Sequence, residues 1–176
     1  MKRAIWAARR AVASLSTPTN TAEILAGFRA KPLSELETIF MSAAPLAYPV
    51  PGNYAGTWLK RIENSGTYKP FNLISQWLMF EITPFGITFS ADNTGIWYFF
   101  NPSLAAGNFV MQNGPSLWRD TQAVALNYET AKLPGFVRGI LYDEIKVLGP
   151  DHALGIGGFK GPAGDGDNFF FLLTRV

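Results

Sequence analysis

The region from residue 53 to residue 176 is a succession of short apolar segments separated by turns rich in Gly, Pro, Asn and Asp. Short segments bounded in this way are typical of β-strands. Because we expect no helix between consecutive strands, the pattern indicates an antiparallel meander. The nine predicted strands lie at residues 54–63, 71–82, 86–91, 95–100, 108–112, 123–129, 136–148, 153–159 and 168–176.

A meander of this many strands leaves two unpaired edges unless the sheet closes on itself. The last apolar segment, 168–176, can close the sheet by pairing with the first. The sequence therefore predicts a mainly β fold, a closed antiparallel barrel of eight to ten strands over residues 53–176, preceded by N-terminal helices. An open twisted sheet or a sandwich is the alternative fold.

Residues 1–52 form a separate region in this prediction, a basic helical arm that ends in a linker with three prolines. The first 31 residues contain six basic residues and one glutamate, a net charge of +5. Since the whole chain carries +2, the remainder carries −3. A mildly acidic barrel is a poor nucleic-acid surface, so we expect no nucleic-acid partner. Residues 1–31 could instead lie on an anionic lipid or membrane surface.

The segment Met1–Ser16 contains four basic residues, no acidic residue and several alanines. This composition is typical of an amphipathic mitochondrial transit peptide. We predict a mitochondrial, membrane-associated protein without a transmembrane helix, with plastid or cytoplasmic location as alternatives. Two further helices are expected before residue 45, and the second has an apolar stripe formed by Leu36, Ile39 and Phe40.

The motif Gly56-Thr57-Trp58 at the start of the first strand resembles the calycin superfamily, which includes lipocalins and fatty-acid-binding proteins. The resemblance implies that Trp58 plugs one end of the barrel and that a basic residue from the last strand, here Arg175, closes the barrel by stacking on it. It also implies an apolar ligand inside the barrel. Unlike fatty-acid-binding proteins, this chain is predicted to have no helical lid after the first strand.

The size of the inward side chains decides whether such a barrel is filled or hollow. Small inward residues at Ala123, Ala125, Gly139 and Gly157 would leave a pocket, and a one-residue change of register exchanges the two sets. With 14 Phe and 5 Trp to bury, we favour the filled barrel. The large residues that we predict to point inward, as filling or as ligand contacts, are Trp77, Met79, Trp97, Phe99 and Phe109.

The sequence offers little catalytic chemistry. It has no cysteine, and its one histidine, His152, lies in a predicted turn, so we predict no metal site, no cofactor and no catalytic residue. Asp143 and Glu144 are adjacent in a predicted strand, so one faces inward and the other outward. An inward carboxylate paired with Arg138 or Lys146 could bind the polar head of a ligand, and we take Glu144 and Arg138 as the candidate residues.

Two aromatic runs, 97–100 and 169–171, place large apolar side chains on both faces of their strands. The outward ones need cover from another chain, from lipid or from the N-terminal helices. We therefore favour a non-catalytic accessory subunit of a larger assembly, which would be oligomeric or poorly soluble alone. A carrier of a fatty acid, pigment or other apolar molecule is the alternative, and an isomerase or cyclase is the third hypothesis.

Overall fold

The computed structural model describes residues 21–43, 48–64, 66–82, 84–101, 103 and 105–176. Within these residues, eight antiparallel strands form a closed barrel in which each strand pairs with the next and the last pairs with the first. The predicted mainly β fold, with a closed antiparallel barrel and N-terminal helices, is confirmed.

The elements follow each other in a simple order. The strands are β1 (Gly52–Arg61), β2 (Phe85–Phe89), β3 (Thr94–Phe99), β4 (Ala105–Pro115), β5 (Gln122–Asn127), β6 (Leu141–Gly149), β7 (His152–Phe159) and β8 (Asp167–Arg175). The helices are α1 (Thr21–Ala30), α2 (Leu33–Ser42), α3 (Lys69–Ile82) and α4 (Gly135–Ile140).

The last strand shows how alternation organises the fold. In β8, Phe169 and Phe171 point into the barrel and join its inner core, whereas Phe170 and Leu172 point outward and join a second apolar cluster. Every second residue of a strand lies on the same face, so one apolar run serves both clusters. The barrel closes where β8 pairs with β1, with Trp58 opposite Phe171.

The second cluster lies between the outer face of the barrel and the helices α1 and α2. Leu36 and Phe40 of the predicted α2 stripe are fully buried there, and the rings of Phe40 and Phe170 meet edge to face at 6.1 Å. Aromatic pairs at this distance and angle are favourable beyond the area they bury. The outward Phe170 is therefore covered by a helix of its own chain, and it needs no partner protein.

Two predicted strands are wrong in whole or in part. Residues 71–82 lie in helix α3, so a helix does follow β1, contrary to our expectation of no helical lid. Asn72 and Gln76, four residues apart on one face of this helix, are buried. The predicted strand 136–148 begins as helix α4, because Pro134 precedes a helical turn; only residues from Leu141 onward are in β6.

Helices of the described residues are too short or too polar to span a bilayer. The predictions made for residues 1–20, including the targeting segment, lie outside the described residues.

Candidate functional site

One end of the barrel interior is hollow. Because all strands are antiparallel, the connections from β1 to β2, from β3 to β4, from β5 to β6 and from β7 to β8 start from the same end of the barrel. Here the interior contains a cavity of about 230 Å³. The opposite end of the interior is filled by large side chains that include Tyr54 and Phe89, whose rings are 5.2 Å apart.

The cavity wall is almost entirely apolar. Helix α4 contributes Val137, and Gly107 of β4 provides room, because a Cβ placed there would lie 3.5 Å from the nearest side chains, in ordinary contact. The lining residues are Trp97, Phe99, Gly107, Tyr128, Leu133, Val137, Leu141, Asp143, Gly158, Phe159, Asn168 and Phe169. Such a wall suits a ligand with a largely apolar surface.

Asp143 holds a buried carboxyl group behind this apolar wall. The Tyr128 hydroxyl donates a hydrogen bond to its Oδ2 at 2.5 Å, and the Gly158 backbone N–H donates a second. Burial raises the pKa of Asp143 to about 7, against the lowering effect of the two donors, and the nearby Glu144 adds to the rise. Burial and the carboxylate of Asp143 also raise the pKa of Tyr128 well above its usual value, so its hydroxyl keeps the proton that it donates.

The side chain of Trp97 is also part of the cavity wall. Trp97 is 8% exposed, and its indole nitrogen is buried without an acceptor among the described residues. Buried donors nearly always have an acceptor in folded proteins. The unpaired indole is therefore a feature that calls for a specific explanation.

Helix α3 connects the cavity wall to the surface. Asn168, a fully buried lining residue, accepts a hydrogen bond from Gln76 Nε2 at 2.6 Å. The Asn72 side-chain amide donates to the Asp165 carbonyl oxygen at 2.7 Å. These polar contacts fix α3 beside the end of the barrel that contains the cavity.

The structure places the five predicted inward residues in three different environments. Trp97 and Phe99 line the cavity. Phe109 is buried in the filled core, 5.7 Å from the Tyr128 ring. Trp77 and Met79 lie on α3 and not on a strand, and Trp77 is 59% exposed. These two positions are incorrect because the segment was interpreted as a strand.

The predicted head-group pair, Arg138 and Glu144, is not brought together in the barrel. Arg138 lies on α4, where its Nη1 donates to the Ala131 carbonyl oxygen at 3.4 Å. Glu144 faces outward and accepts hydrogen bonds from the Ser116 hydroxyl and from the Leu117 N–H. One of the two adjacent carboxylates does face inward, as predicted, but it is Asp143.

The sequence contained a signal for the inward Asp143 in the glycines of β7. In the barrel Asp143 lies opposite Gly157, and a Cβ at Gly157 would approach the Asp143 Oδ1 to 2.5 Å. A glycine at this position makes space for the carboxyl group.

Trp58 and Arg175 do not form the predicted stack. The Trp58 ring packs instead against Phe85 and Phe169, with centroids 4.0 and 4.7 Å apart. Gly56 explains the motif, because a Cβ there would lie 2.2 Å from the Phe85 ring. Arg175 pairs with Tyr54 at the opposite end of the barrel, and its Nη2 donates to the Pro51 carbonyl oxygen at 3.3 Å.

His152 and the search for metal ligands add no further site. His152 begins β7 at the end opposite the cavity, and its Nε2 is buried without a partner in the described part of the chain. Across the ranges that the structure describes, no group of three or more metal-binding side chains comes together.

Comparison with known proteins identifies no family. No protein-family model matches the chain, and no curated protein matches it. A solved structure described as the crystal structure of a protein from Thermomonospora curvata matches with a TM-score of 0.45 and 18% sequence identity. The match covers 88% of this chain and 95% of that chain.

Proposed function

We propose that this protein is a calycin-like binding barrel that holds a small, largely apolar molecule in the cavity beneath α3 and α4. The observation that carries the proposal is the cavity itself, a hollow apolar end in a barrel whose other end is filled. The Gly56-Thr57-Trp58 motif and the closed eight-stranded barrel support the calycin-like interpretation.

The size of the cavity limits the ligand. At about 230 Å³ it lies below the range of roughly 300–1,000 Å³ that drug-sized ligands occupy. A single-ring or short-chain molecule fits this space better than a long fatty acid or a large pigment. The apolar wall provides almost all of the contact area, and almost no polar atom of the wall is exposed to the cavity.

The proposal can be tested by filling the cavity. Gly107→Val adds a branched side chain to the cavity wall, whereas Gly114→Val adds the same side chain on the same strand where no atom lies within 4 Å. We would isolate the two full-length variants and the parent chain under native conditions and weigh each by native mass spectrometry. We expect the parent and Gly114→Val to carry a small apolar mass, and Gly107→Val to lose it.

A parent chain that carries no small molecule and binds neither ethylbenzene nor acetophenone would contradict the proposal. Equal retention of a ligand by both valine variants would contradict it as well, because the ligand would then lie elsewhere.

The accessory-subunit hypothesis remains a second candidate, supported by the surface of α3. Leu73, Ile74 and Trp77 lie on one five-residue stretch of this helix, and each is 58–60% exposed. Clusters of exposed apolar side chains often mark protein-protein contact sites. We therefore propose this patch, and not Phe170, which α2 covers, as the contact with a protein partner.

The partner hypothesis predicts a complex that depends on the patch. Native mass spectrometry of gently isolated material should show the chain with a second protein, and Leu73→Ser combined with Trp77→Ser should release it. Val110→Ser is the control, since Val110 is exposed on a strand away from α3. A single chain in all samples would contradict this candidate.

The predicted mitochondrial location is tested separately, by following the protein with and without residues 1–16 in fractionated cells.

A further inference from the structure

We propose that the protein docks on an anionic lipid surface through the end of the barrel that contains the cavity. This inference goes beyond the proposed function, because it concerns the outer surface of that end and holds whether or not the cavity is occupied. The second candidate function would place a protein partner on helix α3 instead, and vesicle binding distinguishes the two.

The most exposed large apolar side chains belong to this end of the barrel. Among the described residues, six such side chains are more than half exposed, and all but the C-terminal Val176 lie on connections that start from the cavity end. These five residues, which we call the apolar tip, are Leu73, Ile74, Trp77, Phe100 and Phe136. Single exposed apolar residues are ordinary, but a group of them marks a contact with protein or membrane.

Two residues of the apolar tip adjoin the cavity along the chain. Phe100 follows Phe99, and Phe136 precedes Val137; Phe99 and Val137 both line the cavity. Helix α3, which carries the other three, is held beside the same end by its buried polar face. The apolar tip therefore belongs to the hollow end of the barrel and not to its filled end.

The backbone of Phe100 supports a role for this exposure. Its φ is 63°, in the left-handed region that bulky residues rarely adopt, and its side chain is 60% exposed. Strained backbone of this kind is found most often at functional positions. Here the strained residue places an aromatic ring at the surface, where folding alone gains little from it.

Basic residues adjoin the apolar tip. Lys69 lies one turn before Leu73 on the same side of α3, and Lys132 and Arg138 lie on either side of Phe136 in the sequence. All three basic side chains are exposed. Exposed cations next to exposed aromatic and aliphatic groups are typical of surfaces that lie on anionic membranes.

The acidic residues favour the same orientation. At the cavity end, Glu129 pairs with Lys160 at 3.4 Å, and Asp165 accepts a hydrogen bond from the Tyr68 N–H at 2.7 Å, whereas Glu63 is exposed. The tight turns of the opposite end, 90–93 and 149–151, each contain one exposed aspartate and neither a basic nor a large apolar residue. A negatively charged surface is therefore attracted more strongly to the cavity end than to these turns.

A lipid surface suits this composition better than a protein partner does. Lysine is depleted in protein-protein interfaces, whereas lysine beside Trp, Phe and Leu is common in segments that lie in the membrane interface. The apolar tip also comes from three separate connections of the barrel. Lipid accepts separate projecting side chains, and a protein partner would need a surface of matching shape.

Vesicle binding by the full-length protein tests the inference. We would measure co-sedimentation with vesicles of phosphatidylcholine alone and with vesicles of phosphatidylcholine and phosphatidylglycerol in equal amounts. Binding to the mixed vesicles should be tighter, and Trp77→Ser combined with Phe136→Ser should weaken it at least about tenfold. Met41→Ser combined with Val110→Ser is the control, because these residues are exposed outside the cavity-end connections and should leave binding unchanged.

The charged residues are tested in the same way. Lys69→Gln combined with Lys132→Gln should weaken binding to the mixed vesicles about thirtyfold, the usual effect of two basic residues at an anionic lipid surface. Binding to phosphatidylcholine alone should change little in this variant.

Residues 1–31 are the other segment that we expect to bind lipid, so the point of contact is measured as well. Lipids with brominated chains quench the fluorescence of tryptophans that enter the bilayer. We expect Trp77→Phe to remove more of this quenching than Trp6→Phe does.

Three results would overturn the inference: no preference for the mixed vesicles, equal binding by the two serine variants, or quenching that Trp6→Phe removes and Trp77→Phe retains. A stable protein complex of a chain that binds neither kind of vesicle would also overturn it and would support the second candidate function. None of these results bears on ligand binding in the cavity, which the valine variants test independently.

Discussion

The two faces of strand β6 bury adjacent carboxyl groups in opposite ways. On the outer face, Glu144 is fully buried and accepts hydrogen bonds from Ser116, Leu117 and Tyr142. On the inner face, Asp143 has Tyr128 and Gly158 as donors and borders an open cavity. The outer carboxylate belongs to a closed polar network, and the inner one belongs to a site that has space for another molecule.

The outer network fastens the helices to the barrel. Arg119 donates to both oxygens of Glu37 on α2 at 2.5 Å, and its Nη1 donates to Asp167 at 2.7 Å. Nearby, Lys146 Nζ donates to the Ala43 carbonyl oxygen at 3.1 Å. The comparison shows that burial alone does not distinguish a structural carboxylate from a candidate binding group; the completeness of its surroundings does.

The largest effect should follow from breaking the outer network. Arg119→Ala leaves the buried Asp167 and the partly exposed Glu37 without their cation, and we expect the free energy of unfolding to fall by about 3–5 kcal/mol. Burial by itself would lower the pKa of Arg119, but its bonds to Glu37 and Asp167 raise it, so the lost cation is a firmly charged one. Urea unfolding followed by tryptophan fluorescence measures the change.

Lys160→Ala is the control for Arg119→Ala. It removes an exposed pair with Glu129 at 3.4 Å, which should cost less than about 1 kcal/mol. Equal losses in the two variants would show that the outer network is no stronger than a surface ion pair.

A smaller effect should follow from neutralising the inner carboxyl group. The folded-state pKa of Asp143, about 7, lies above the usual 3.8, so the folded protein binds this proton more tightly than the unfolded chain. Stability should therefore fall as the pH rises from about 4 to about 7 and then level off. In Asp143→Asn, the free energy of unfolding should fall by about 2–4 kcal/mol less over this pH range than in the parent. Glu144, whose pKa is also raised by burial, contributes to the fall that remains.

Unfolding curves measured at several pH values test this prediction. Asp92→Asn is the control, because hydrogen bonds from Thr94 lower the pKa of Asp92, and its effect is confined to more acidic solutions. The same slope between pH 4 and pH 7 in the parent and in Asp143→Asn would show that Asp143 does not titrate in this interval.

The smallest change in stability is expected when a glycine of the filled core and a glycine of the cavity are each replaced by alanine. A Cβ at Gly155 would lie 2.1 Å from the Phe171 ring, so Gly155→Ala should cost about 1–3 kcal/mol through overpacking. Gly107→Ala meets only ordinary contacts and should change stability by less than about 1 kcal/mol in either direction. Thermal unfolding of both variants checks the difference, and equal destabilisation would mean that no space exists at Gly107.

Much of the barrel could be predicted because its signals are local. The hairpin of β2 and β3 and the last strand β8 follow from turn residues and alternating apolar positions. Helix α3 was missed because its long apolar run fits either a strand or a helix, and the spacing of Asn72 and Gln76 places them on one face in both.

The site was harder to predict because it depends on register and on distant contacts. Alternation shows that Asp143 and Glu144 face opposite sides of the sheet, but a one-residue shift of the strand register exchanges the inward and the outward residue. Gly157, which lies opposite Asp143 and makes space for its carboxyl group, is on another strand. Whether the Trp97 indole N–H is paired depends on every acceptor around it, and no local sequence pattern predicts that it has none.

The pairing of β8 with β1 has a consequence for the order in which the chain folds. All other strand pairs join neighbours in sequence, whereas closure brings together residues as far apart as Pro51 and Arg175, which are 124 positions apart. Contacts of such long range cost the most chain entropy and form slowly. We expect the seven pairings between strands adjacent in sequence to form before closure and closure to limit the folding rate, with both edge strands open to aggregation until closure occurs.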